Sequence, residues 1–463
     1  MAPLVLGIDS STQSTKALLV DAETGQVLEE RRASHPDGTE VDPRAWLDAV
    51  DEAGGPLLER ADALAVGGQQ HGMVLLDDQG EVVRPALLWN DTRSADAATA
   101  LIEEMGGPQA SVEEIGSLMV ASFTASKLRW VRDEEPENAK RAARVLLPHD
   151  FVSLHLAESG AAPFTDRGDA SGTGYYSTRE EAWKPELVEA ALGKSLGLPR
   201  LPSAPNEVMA RTASGAAIAA GTGDNMGAAL GLSLGPGDVS VSIGTSGVCA
   251  MVSDARPGDA SGTVTGFADA TGRFLPMTTT INASRILEAG RALLGVSHEE
   301  MAELALASEP GANGVTLLPY FDGERTPNRP HARATLTGMS TSTTREDVAR
   351  AYVEGLLCSL ADGIAALEER TGTAARRITL IGGGARSRAI QQLAPAIFGR
   401  EVTIAPDGEF VALGAARQAA WALAGTEEPP AWEISGSRVV TADATPEVLG
   451  AYRELKERTA DWS

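Results

Sequence analysis

A chain of 463 residues has room for two or three domains, and with 43% apolar and 22% charged residues most of it can bury sizeable cores, which excludes a small stapled module. Its 49 glycines fall in pairs and triplets at particular places, which excludes a collagen-like rod. Asp and Glu outnumber Lys and Arg by 64 to 39, and the net charge of -25 argues against nucleic acid or an anionic membrane as partner, so any phosphate ligand must be held by locally arranged amides or a few cations.

In chain order, Leu4 to Ile8 reads as a buried strand, Asp9 to Thr15 is polar with short side chains, and Ala17 to Val20 resumes the strand pattern: a hairpin with a hydroxyl-rich tip. The opening residues lack a basic leader, and no stretch approaches the roughly 18 apolar residues of a membrane span, so a cytoplasmic protein is expected. Asp42-Pro43 opens a helix, and a short strand, Leu64-Ala65-Val66, runs into Gly67-Gly68. The stretch from about 111 to 205 fits no repeat and reads as an insertion. Gly221 to Asn225 precedes a helical run, Met226 to Leu232, and the chain then passes a joint near Leu234-Gly235-Pro236-Gly237.

The same order of pieces then recurs. Val239 to Val252 forms a second hairpin around Gly244-Thr245-Ser246-Gly247. Val348, Tyr352, Leu356, Leu360, Ile364 and Leu367 mark a helix over Thr344 to Arg370, stopped by Gly372, and Ile378 to Ile381 is a strand running into Gly382-Gly383-Gly384. Repetition argues for two related α/β domains, 1–236 and 237–463, with coincidence among common α/β pieces as the alternative. A loop follows Gly425, and a short helix is expected near Pro446 to Thr459. Cys249 and Cys358 support neither a disulfide framework nor a zinc site.

Tight turns of Gly, Ser and Thr let backbone N–H groups and hydroxyls converge on an anion, and Lys16 stands close to the first tip as a counter-charge. Gly382-Gly383-Gly384-Ala385, between a strand and a helix, lets a nucleotide approach the backbone closely, but the spacing is not a dinucleotide fingerprint. Asp224 is either a helix cap or a carboxylate that accepts a hydroxyl proton. Asp9 is either a turn residue or an outer-sphere magnesium ligand. Gln70-His71 follows a buried strand, where open α/β folds place ligand contacts. Trp89 to Arg93 is either an aromatic sugar platform or a surface ion pair. The remaining histidines, His149 among them, lack metal-ligand spacing.

With these pieces assembled, the chain resembles the FGGY family of carbohydrate kinases along nearly its whole length. The matching motifs are Gly7-Ile8-Asp9 with Thr12 and Lys16; Gln70-His71-Gly72; Leu88-Trp89-Asn90-Asp91 with Arg93; Phe123-Thr124-Ala125 with Lys127-Leu128; Leu146-Leu147-Pro148 with Asp150; and Asp169 to Thr173. Gly223-Asp224-Asn225, Ser242 to Gly247, Leu318-Pro319-Tyr320 with Gly323 to Pro327, and Gly382 to Ser387 complete them. Within the family the motifs look most like those of members acting on D-xylulose.

The resemblance implies two ribonuclease H-like domains of the actin and hexokinase superfamily flanking a catalytic cleft, the first on the sugar side and the second on the nucleotide side. It implies ATP with Mg2+, Asp224 as the base on the sugar hydroxyl, and Asp9 active through magnesium and phosphates, both carboxylates reaching the metal through water. Gln70, His71, Trp89, Asp224 and Asn225 fall where sugar is held, and Thr12, Gln13, Ser14, Lys16, Gly244, Thr245, Gly383, Gly384 and Ala385 where ATP is gripped. Two positions depart from the pattern: Gln70 stands where methionine is usual, and Ser11 replaces the glycine before Thr12. The alternatives are a sister kinase of ribulose, rhamnulose or glycerol and, in another class, an actin-like nucleotide clamp without chemistry. Glycerol kinases carry Arg-Glu where this chain has Gln70-His71, which argues against glycerol. A homodimer is the commonest assembly for such enzymes.

Overall fold

The computed structural model describes residues 2–462. The chain forms two compact units: one holds residues up to Leu234 together with Asp254–Leu275 and Gly408–Glu433, the other Gly235–Ser253, Pro276–Asp407 and the residues from Ile434 on.

In the first unit, strand Leu4–Ser10 pairs antiparallel with Ser14–Asp21 and parallel with Ala63–Gly68. The sheet runs in the order Val208–Arg211, Ala217–Ala219, Ala63–Gly68, Leu4–Ser10, Ser14–Asp21, Val27–Ser34. Both faces are covered, so the central strands carry unbroken apolar runs, Leu4 to Ile8, Ala17 to Val20 and Ala63 to Val66, rather than an alternation, and turn polar only toward their ends. Leu6, Ile8 and Leu19 pack with Trp46 and Val50 of the helix Arg44–Ala53. Val5, Leu18, Ala63 and Ala65 pack with Ala412, Ala415, Ala416 and Ala419 of the helix Phe410–Ala424. That alanine face is the physical reason residues far along the chain fold with the first sheet, so a single cut at 236/237 follows chain order but not packing. The same helix crosses Asp224–Gly231 so closely that a Cβ on Gly414 would lie 1.8 Å from the Gly227 carbonyl. Only glycine allows the contact, and it seats the helix that begins with Asp224.

The second unit repeats the plan. Asp238–Ile243 pairs antiparallel with Gly247–Met251 and parallel with Arg377–Ile381, and its sheet extends through Phe274–Thr280 on one side and through Val402–Ile404 and Arg438–Val440 on the other. The helix expected from the 344–370 periodicity is Arg345–Thr371. Thr344 accepts the Asp347 N–H while the Asp347 carboxylate accepts the Thr344 N–H, and Gly372 closes the helix at φ 66°. All six spaced apolar residues are buried along it. The expected C-terminal helix is Pro446–Arg458. Cys249 and Cys358 are buried free thiols. Among the described residues, no helix is long and apolar enough to cross a membrane.

Candidate functional site

The strand register of the first unit delivers its polar side chains. Asp9, one residue from the end of Leu4–Ser10, faces Lys16 across the hairpin and Gly67 on the parallel strand. Asp9 is therefore a strand residue, and its reading as a turn residue is set aside. Its carboxylate is buried, accepts the Ser11 hydroxyl at 2.6 Å and Lys16 Nζ at 3.3 Å, and leaves Oδ1 buried without a hydrogen-bond partner among the described residues. Burial pushes its pKa up against the pull of Lys16 and Ser11. Lys16 Nζ also lies 2.7 Å from Glu409. Burial works against the ammonium, but these two carboxylates outweigh it and hold it above its ordinary range. Lys16 is thus already neutralised, with two carboxylates for one cation. Thr12 and Gln13 form the tip, whereas Ser14 has entered the return strand and is buried.

Thr222-Gly223 runs parallel to Gly67-Gly68 and releases the chain into Asp224. The cap residue of the following helix is Gly223, so Asp224 is its first residue rather than its cap. Asp224 Oδ1 accepts the Asn225 backbone N–H at 2.7 Å and its side-chain amide at 2.8 Å, and the same amide donates to Gln70 Oε1 at 3.0 Å. Gln70, Asn225 and Asp224 thus form one chain of hydrogen bonds, and Gln70 Nε2 is buried with no partner among the described residues. Burial, then the charge of Asp9, pushes Asp224 up to about 7 against the opposing Asn225 bonds. A carboxyl poised there can take a proton near neutral pH.

His71 sits at φ 67°, a left-handed backbone rare outside glycine. Its ring stacks on Phe123 with centroids 5.2 Å apart and tilts against Phe267 at 5.6 Å. Nδ1 donates to the Gly172 carbonyl at 2.8 Å, which fixes the tautomer because a carbonyl only accepts. Trp89 is 44% exposed and donates its indole N–H to Thr12 Oγ1 at 2.9 Å, tying this face to the hairpin tip. Its neighbours form the ion pairs that the second reading expected: Arg93 bonds Asp91 at 2.9 Å and Glu40 at 2.8 Å.

Residue spacing did not reveal a buried cluster beside these groups. His149, one of the histidines dismissed for lack of ligand spacing, is fully buried with Nε2 at 3.2 Å from Asp150, 3.2 Å from Asp166 and 3.4 Å from Asp169. Burial opposes its charge, but the three carboxylates win and raise it to about 9. Burial lifts Asp150 to about 6 and Asp169 well above the usual carboxylate range. Lys127, in the sequence only one position of a motif, is also fully buried. Among the described residues no group of three or more His, Cys, Asp and Glu side chains is arranged to hold a metal ion.

In the second unit, Gly244, Thr245, Gly383 and Gly384 line a cavity of about 1100 Å³ that is walled by Leu287, Met301 and Ala302 and edged by Arg388. Gly382 turns at φ 88°, where its backbone meets that of Ile243, and a Cβ on Gly384 would lie 2.4 Å from Ile243 Cγ2. Ala385 lies behind, lining a separate cavity of about 270 Å³. Bare glycine amides beside an apolar wall can hold phosphate and an aromatic base.

Residues 4–232 match the model for the FGGY family of carbohydrate kinases, N-terminal domain, and residues 239–423 that for the C-terminal domain. The chain is 46% identical over 441 residues to the xylulose kinase of Streptomyces coelicolor, covering 92% of this chain and 89% of that protein. It is 44% identical over 460 residues to the xylulose kinase of Streptomyces rubiginosus, covering 95% and 93%. The solved structure of xylulose kinase from Bifidobacterium adolescentis superposes with a TM-score of 0.92 at 47% identity, covering 98% of this chain and 99% of that one.

Proposed function

The chain belongs to the FGGY family of carbohydrate kinases, and from that premise we infer that it transfers the γ-phosphoryl group of ATP to D-xylulose, giving D-xylulose 5-phosphate. The observation that carries the substrate is the near full-length identity of 44 to 46% to two xylulose kinases.

In this reading Asp224 accepts the proton of the primary hydroxyl as its oxygen attacks the γ-phosphorus. Its Oδ1 is held by both Asn225 donors, so the carboxylate is oriented before substrate arrives, and its raised pKa places proton uptake close to neutral pH. Gln70 fixes the Asn225 amide and presents its own partnerless Nε2 to a sugar hydroxyl; His71, Trp89 and Asn225 complete the sugar contacts. Gly244, Thr245, Gly383 and Gly384 hold the nucleotide, with the Ala385 N–H closing their turn on the Gly382 carbonyl. Thr12, Gln13, Ser14 and Lys16 are assigned to its phosphates.

Asp9 and Asp224 suit Mg2+ reached through water: two carboxylates are too few for a closed protein cage, and Mg2+ usually keeps several waters and shares substrate phosphates. The partnerless buried Oδ1 of Asp9 is the acceptor such a water needs. When bound, the ion neutralises phosphate charge. A cytoplasmic homodimer completes the reading, supported by two buried cysteines that form no disulfide with each other and by the prevalence of twofold assemblies.

A coupled ADP-release assay over ketoses and polyols tests the substrate. D-Xylulose should give the highest kcat/KM, by about tenfold or more over D-ribulose, L-rhamnulose and glycerol, the margin a hydrogen-bonded hydroxyl provides. A higher value for any of those three would replace the assignment.

A further inference from the structure

One of the largest fully buried side chains is a lysine with no part in the proposed phosphoryl transfer. Lys127 lies in the first turn of the helix Thr124–Glu134 and is 0% exposed. Its ammonium donates to two neutral acceptors, the carbonyls of Ser122 at 2.5 Å and His71 at 2.8 Å. Asp91 and Asp169 favour its charge only through space, while burial disfavours it more strongly, and its pKa is pushed down to about 7. Keeping an amine in such a place costs stability, and an apolar side chain of the same length would fill the volume without that cost. Its presence calls for a reason other than packing.

The acceptors supply one. The His71 carbonyl belongs to the residue at φ 67°, and it receives a second donor, the Thr124 hydroxyl at 3.3 Å. A non-glycine residue holds a left-handed backbone only where its surroundings over-determine it. The ring side is fixed by Phe123, Phe267 and the Gly172 carbonyl. The backbone side is fixed by Lys127 and Thr124, and because Lys127 also grips Ser122, it ties the His71 peptide to the segment that carries Phe123.

We propose that Lys127 is a positioning residue for the sugar, clamping the His71 carbonyl so that the strained backbone presents the imidazole to the substrate in one orientation. This rests on His71 being a sugar contact, and the test separates the two claims. Steady-state kinetics of Lys127→Met, His71→Ala and the double variant are measured with D-xylulose and ATP varied in turn, alongside melting temperatures. Lys127→Met should raise KM for D-xylulose about tenfold, the loss of one charge-assisted hydrogen bond, and leave KM for ATP within about twofold. The double variant should be no worse than His71→Ala alone, because a residue acting through His71 has nothing left to position.

An unchanged sugar KM in Lys127→Met, or effects that add in the double variant, would overturn the clamp while leaving His71 as a contact. An unchanged sugar KM in His71→Ala would overturn the contact itself. Should Lys127→Met fail to fold, Thr124→Val removes the other donor on the same carbonyl and should raise sugar KM about threefold, again sparing ATP; no change there would equally overturn the clamp.

Discussion

The two hairpins follow one backbone plan and end in opposite chemistry. In the first, the position one residue from the end of the leading strand is Asp9, facing Lys16; in the second it is Ser242, facing Val248. The parallel strand beside the first hairpin runs out into Gln69, Gln70 and His71, and the one beside the second into Gly382, Gly383 and Gly384. The first unit thus places charge and hydrogen-bonding side chains where the second removes side chains altogether. Topology supplies converging backbone twice; proton transfer requires a carboxylate held against desolvation, whereas gripping a nucleotide requires room and bare amides.

If that division is right, the two ends fail differently when damaged. The largest effect is expected at Asp224. Asp224→Ala removes the group assigned to take the hydroxyl proton and should lower kcat by roughly 10² to 10⁴ while KM for ATP stays within about twofold. Near-normal turnover would strip Asp224 of its role, and a matching rise in the ATP KM would blur the division itself.

Much of this contrast was visible in the residue order, and the reason is local. A hairpin, a helical apolar spacing such as Val348 to Leu367, and a glycine triplet after a strand are set by neighbours in the chain. What could not be read depends on partners far apart in sequence. Glu409 reaches Lys16 only because an alanine face carries the helix Phe410–Ala424 onto the first sheet. His149 meets Asp166 and Asp169 only after the 111–205 segment folds, so a histidine dismissed for its spacing turned out to be the cation of a buried acidic cluster.

That cluster makes the second prediction, on what charge costs the first unit. The folded His149 pKa of about 9 lies above its ordinary 6.5, so the native chain binds the proton more tightly than the unfolded one. Its contribution is complete below the unfolded value and is lost as pH rises through about 9, a change on the order of 3 kcal/mol at most. Asp150, raised to about 6, acts in the same sense and mostly at lower pH. Lys127, held down to about 7, shifts stability the opposite way over the same window, so the His149 contribution is read as a difference: between pH 6.5 and 9, urea unfolding should show the parent losing stability relative to His149→Gln. A variant as pH-sensitive as the parent would mean that His149 carries no such charge.

The smallest effect belongs to the second unit and is the mirror of the first. Among the described residues a Cβ on Gly383 meets nothing within 4 Å, and the residue lines the cavity of about 1100 Å³, so Gly383→Val should fold normally while its side chain stands where the nucleotide is proposed to lie. KM for ATP should rise about tenfold, near 1.4 kcal/mol, with KM for D-xylulose unchanged. Its neighbour is the control: in Gly384→Ala the added carbon presses on Ile243 at 2.4 Å, so the loss should show first as a lower melting temperature. If Gly383→Val instead raised the sugar KM and spared ATP, nucleotide binding could not be assigned to the bare-glycine end, and the contrast between the two hairpins would lose its functional meaning.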